Sequence, residues 1–218
     1  MNSIFLSASV PDPLRAPEFA ESANTVAISS AVNALLYVTL GRRRLVWGGH
    51  PAITPIVWET CEHLGVNYSK WVYLYQSEFF EDDFPEENER FGNVQYTKNT
   101  GELESSLLIM RQRMFSESQF DAAVFMGGMS GIIAEFNLFR EYQTDAKVWP
   151  IISTGGATLE LKDSASISNF DLEHEFDYVT LFHNLLNISP RERRYDSPQA
   201  QPNHTEERFW KPDDPMHS

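Results

Sequence analysis

Glu135 and Arg113 are the side chains of this chain best placed to do chemistry, because of the glycines around them. Glu135 lies one helical turn beyond Gly131 in the stretch VFMGGMSGIIAEF, residues 124–136, where an apolar run breaks at Gly127 and Gly128. Glycine in such a turn serves one of two ends. It lets a strand fold sharply back into a helix, or it brings backbone N–H groups close to an anion at the helix N-terminus. The carboxylate at 135 then either caps the turn and faces solvent or projects over a cleft, where it can hold a ribose or stabilise developing positive charge. Arg113 precedes Gly127 by fourteen residues. One strand later the chain can return it to the same edge to hold an anionic ligand; the alternative is the outer face of an amphipathic helix.

Two further turns share this form. GGHP (Gly48, Gly49, His50, Pro51) and STGG (Ser153, Thr154, Gly155, Gly156) join GGMSG (Gly127, Gly128, Met129, Ser130, Gly131), each following a strand pattern and opening a helical one. SASVPDPLR, after the first strand pattern, holds the same kind of place and offers Ser7, Ser9 and Arg15 to a phosphate. His50 either contacts a ligand or caps its turn. Turns of this kind collect at the carboxyl edge of a parallel sheet, where ligands bind. Together they point to a nucleotide-like or phosphorylated ligand. None has the spacing of a phosphate-binding G-x-x-x-x-G-K-[ST] loop or a dinucleotide G-x-G-x-x-G, which excludes routine ATPase and dehydrogenase chemistry. The six histidines show no metal-ligand spacing, so neither metal nor cofactor is expected, and no G-x-S-x-G elbow is present.

The elements that must position these residues alternate. Strand patterns cover 3–7, 44–47, 71–75, a weaker 94–97, 122–126 and 148–152. Between them run helical patterns over 17–38, 53–64, 101–116, 131–142 and 177–186, with apolar residues at three- and four-residue steps. In the helix at 101–116 that stripe is Leu103, Leu107, Met110 and Met114. Short strands alternating with longer helices specify βαβ units, hence a single-domain open α/β fold with a parallel sheet over 1–189. The polar, proline-bearing tail, 190–218, is expected to be loosely ordered or draped over a neighbour.

A formal charge of −14 excludes nucleic acid and anionic membranes as general partners. No run approaches the ~18 apolar residues that span a bilayer, and a cytoplasmic protein is expected. Cys61, the one cysteine, falls inside a helical pattern and reads as a buried bystander. The run 78–91 interleaves acids with Phe79, Phe80 and Phe84, and reads as a solvated loop with aromatic anchors or as an acidic docking site.

Strand-GGHP-helix, strand-GGMSGIIAE-helix and strand-STGGA together resemble the SLOG superfamily, which groups LOG-type proteins, DprA/Smf proteins and sensor domains of bacterial conflict systems. The resemblance covers roughly 3–186. It implies a Rossmann-like fold, helices on both faces of the sheet and a nucleotide-derived ligand. MRQRM (110–114) is similar to the arginine-bearing M-H-E-R-K segment of LOG enzymes, with Arg113 in the arginine's place. MGGMSGIIAE is similar to their P-G-G-x-G-T-x-x-E signature, with Glu135 in the acid's place. LOG enzymes cleave the N-glycosidic bond of nucleoside monophosphates without a metal, which implies catalytic roles for both residues. Met126 stands for the signature's proline, Ser130 lengthens the turn by one, and Ile132 replaces its threonine. GGHP is closer to the sensor branch, so the resemblance implies a bacterial signalling or anti-phage defence sensor before a hydrolase. It also implies a homo-oligomer and a separate effector protein or self-assembled effector. A non-catalytic interaction scaffold, with glycine turns that only pack, is the third expectation.

Overall fold

Along each strand, successive side chains point to opposite faces, and the apolar residues follow that rule. In the computed structural model, which describes residues 3–164 and 170–211, Ile4 and Leu6 of β1 (Ser3–Ser9) join one buried cluster and Phe5 the other. β5 (Phe120–Gly127) divides likewise, with Ala122, Val124 and Met126 on the first face and Ala123 and Phe125 on the second. The remaining strands are β2 (Arg44–Trp47), β3 (Val72–Ser77), β4 (Val94–Thr97) and β6 (Lys147–Ile151). All neighbours pair in parallel, in the order β4-β3-β2-β1-β5-β6. The fold is the Rossmann-like single-domain α/β sheet that the alternation of patterns specified. Strand order reverses at β1, with β2 to β4 laid down on one side and β5 and β6 on the other, which makes the carboxyl ends of β1 and β5 the switch point.

The first face is covered by α2 (Thr25–Thr39), α3 (Thr54–Leu64) and α8 (Tyr178–Leu185), the second by α5 (Leu103–Ser116) and α6 (Ser130–Tyr142); α1 (Pro17–Ser22), α4 (Tyr68–Trp71) and α7 (Phe170–His174) are short. Met110 and Met114 of α5 are buried in the second face, so its apolar stripe is core. One helical pattern is corrected. The run 17–38 splits into a short helix, Pro17–Ser22, and α2, because Asn24 is extended and its Oδ1 accepts from Ala27 N at 2.9 Å, capping α2. The asparagine is a start signal inside an otherwise continuous apolar period.

The stretch expected to be loosely ordered or draped over a neighbour forms, over 190–211, a strap across the α2–β2 turn; residues 212–218 lie outside the described residues. Its anchor is Glu192, 1% exposed, which accepts from Arg43 at 2.7 Å and lies 3.6 Å from Arg208. Tyr195 N donates to Gly41 O at 2.8 Å, and Trp71 Nε1 to Tyr195 O at 2.9 Å. Polar composition hid the strap because ion pairs and backbone hydrogen bonds anchor it, with Tyr195 and Pro198 as its apolar contacts. Glu192→Ala leaves two arginines without their buried partner and is expected to cost about 3 kcal/mol or more, read by urea unfolding.

Candidate functional site

Ser7 shares the face of Phe5, two residues on and at the carboxyl end of β1, which turns its hydroxyl toward α6. Its Oγ donates to Glu135 Oε2 at 2.5 Å. The other oxygen, Oε1, accepts from Arg111 Nε at 3.3 Å. The Arg111 side chain is 8% exposed and Glu135 16%. Arg111 reaches the site from α5, crossing under α6 so closely that a Cβ on Gly131 would lie 3.3 Å from its Nη2. A Cβ on Gly48 would lie 4.0 Å from Glu135 Oε1 and 3.3 Å from Met110 Cε. The ion pair therefore sits between two stretches of bare backbone, at the end of β2 and the start of α6. Among the described residues, neither Nη group of Arg111 has an acceptor, and the same holds for the N–H groups of Ser130 and Gly131 at the uncapped start of α6.

Arg113 is not brought to this set. It donates to Glu117 at 2.8 Å, Tyr96 O at 2.9 Å and Gln95 Oε1 at 3.1 Å, on the outer side of α5. The helix period separates the two arginines. Arg111 is four residues after Leu107 and three before Met114, on the buried stripe, and Arg113 falls off it. That signal was available in the sequence.

The glycine turns differ in what they do. Gly127 and Gly128 are buried with φ of 59° and 75°, and their N–H groups donate to Thr154 Oγ1 at 2.9 Å and Ser9 O at 2.8 Å. A Cβ on Gly128 would lie 2.0 Å from Ile132 Cγ1, and one on Gly156 2.9 Å from Gly127 C. Gly155 N donates to Ile152 O, and Thr154 is fully buried with its hydroxyl donating to Ile151 O at 2.6 Å. These five positions knit the ends of β1, β5 and β6 together. STGGA opens no α-helix; it leads into 3-10 segments at Ile152–Thr154 and Gly156–Ser164.

The partly open positions are Ser9, Gly48, Gly49, His50, Met129 and Gly131, with Ser130 exposed at the start of α6 and Arg15 exposed in the loop after β1. His50 Nδ1 accepts from Ala52 N at 3.2 Å, a turn cap, and burial lowers its pKa. Gly49 has φ of 71°, and a Cβ there would overlap the amide of Gln76, whose Nε2 donates to Gly48 O at 3.3 Å. Gln76, buried at the end of β3, is a floor residue that no sequence motif announced.

Residues 18–186 match the family model described as the SLOG cluster3 family. The chain belongs to that family. No curated protein sequence matches this SLOG chain. Among solved structures, the X-ray structure of TM1055, a structural-genomics target, is similar at 13% identity and a TM-score of 0.48, covering 85% of this chain and 99% of that one.

Elsewhere in the SLOG domain, no group of three or more His, Cys, Asp or Glu among the described residues can hold a metal ion. No helix among them is long and apolar enough to cross a membrane. Cys61 is buried in α3, and that burial pushes its thiol up to about 12. Native protein at neutral pH is expected to resist thiol-disulfide reagents for hours and to react fully once unfolded in guanidinium, because the thiolate is the nucleophile.

Proposed function

We propose that this SLOG protein binds a nucleotide-derived anion at the carboxyl edge of its sheet and acts as a sensor in bacterial signalling or defence. The observation that carries the reading is the placement of Arg111 Nη2 beside Gly131 at the start of α6. A guanidinium with free donors and a helix N-terminus with free N–H groups meet there, and both favour a phosphate or carboxylate. Glu135 and Ser7 lie on the adjoining wall, where a carboxylate and a hydroxyl suit a ribose or a base edge. Ile132 stands at the threonine position of the hydrolase signature, and its side chain closes over Gly128. The anion is therefore held by Arg111 and the first helical turn rather than by the glycine pair. The effector is a separate protein or an assembly of the chain itself.

Hydrolysis of an N-glycosidic bond is the second reading, favoured by the fixed aim of Glu135 between Ser7 and Arg111. A carboxylate held so firmly can stabilise an oxocarbenium-like transition state without rearranging. Mass spectrometry after incubation with nucleotides, including NAD-derived and cyclic species, separates the two. Intact ligand retained by wild type supports the sensor. Release of free base by wild type, absent in Glu135→Gln, supports the hydrolase.

A further inference from the structure

The amino edge of the sheet, opposite the candidate site, gathers arginines that the site does not use. Arg43 and Arg44 lead into β2, and Arg208 comes from the strap; together with Gln201, Pro198 and Pro202 they line an open notch of about 530 Å³, where the three arginines face one lining acid, Asp121. Glu192 is the buried carboxylate they share. Behind it, Arg42 donates to Val38 O and Glu192 O, and Arg194 to Leu40 O at 2.6 Å. Carbonyl acceptors satisfy hydrogen bonds without cancelling charge, so the cluster stays cationic on a chain of net charge −14. Burial and the charge of Arg194 bring Arg42 down to about 10, as an under-neutralised cluster would. Arg44 is the least committed, its Nε unpartnered and its guanidinium 5.4 Å above the Tyr73 ring.

The carboxyl edge carries the complement. Directly after β3, the 3-10 segment Glu78–Asp83 (EFFEDD) exposes Glu78, Glu81, Asp82 and Asp83, none with a cationic partner among the described residues. Phe79 and Phe80 stand between them, half-buried, with ring centroids 5.2 Å apart. Acids, aromatic rings and an exposed turn match a notch of arginines and prolines in charge and in apolar content.

We propose that the acidic segment Glu78–Asp83 of one copy docks in the arginine notch of a second copy, head to tail. The two surfaces lie on opposite edges of one sheet, so the contact is heterologous and closes into a ring or extends as a fibre. This inference does not depend on the identity of the ligand.

The test is sedimentation velocity on the full chain at low salt (roughly 50 mM) and high salt (roughly 500 mM), where the Debye length shortens several-fold. Wild type is expected to assemble at low salt and dissociate at high salt. Arg44→Glu alone, and Glu81→Lys/Asp82→Lys/Asp83→Lys alone, are each expected to remain monomeric. Mixed one to one, they regain complexes, because the intact acidic segment of the first meets the intact notch of the second. Arg44→Gln, which adds no negative charge, guards against misfolding and should weaken assembly about tenfold. A wild type that stays monomeric at both salts, variants that assemble like wild type, or a mixture that fails to associate overturns the proposal. So does a monomer that takes up a foreign acidic peptide instead of its own kind.

Discussion

Gly155→Ala is expected to leave little folded protein. The residue holds φ of 68° and ψ of −155°, a region that essentially only glycine occupies, at a strain cost of about 1 to 3 kcal/mol for other residues. Its new Cβ would lie 2.0 Å from the carbonyl oxygen of Ser22 and 3.1 Å from Ala23 Cα, both backbone atoms that cannot rotate away. Overpacking of that kind costs about 1 to 3 kcal/mol more. The sum, about 4 kcal/mol, is a large share of the stability of an ordinary domain. Gly131→Ala is the contrast. That glycine has no left-handed φ, and the nearest atom to a Cβ is Arg111 Nη2 at 3.3 Å, the end of a long side chain. Its stability should stay within about 1 kcal/mol of wild type, with ligand affinity reduced because the methyl crowds the guanidinium. Thermal melts of the two variants, side by side, separate a packing glycine from a site glycine.

Arg111→Gln is expected to lose about 3 kcal/mol, a fall in Tm of roughly 6 to 12 °C, because Glu135 keeps only the Ser7 hydroxyl in a mostly buried position. Arg113→Gln breaks an exposed pair with Glu117 and should cost less than about 1 kcal/mol. Glu135→Gln combined with Arg111→Gln should destabilise less than the two separate losses added together, since the second change removes the carboxylate stranded by the first. Additive losses would mean that Arg111 and Glu135 act independently, contrary to their contact in the structure.

The same two arginines show how far the sequence could be read. Strand and helix alternation gave the fold, and the position of Glu135 one turn beyond Gly131 put it at the switch point. Arg113 lies away from Glu135 in the structure, and the helix period says why: it puts Arg111 beside Met110 and Met114 on the buried stripe and Arg113 off it. Other features were not legible at all. That Gly48 and Gly131 flank the Arg111–Glu135 pair, while Gly127, Gly128, Gly155 and Gly156 lie tight against neighbouring atoms, depends on which strand ends meet, a long-range fact. Gln76 reaches the site from β3 with no motif around it, and Glu192 holds the strap through arginines some 150 residues earlier in the chain.

Equilibrium binding of a nucleotide panel to wild type, Arg111→Gln and Arg113→Gln, followed by native mass spectrometry, tests the central claim most directly. At least one nucleotide-derived anion should bind wild type and Arg113→Gln alike, and bind folded Arg111→Gln about a hundredfold more weakly, or about 3 kcal/mol. Equal binding by all three proteins, or loss confined to Arg113→Gln, would contradict the assignment of the site to Arg111, Glu135 and the start of α6.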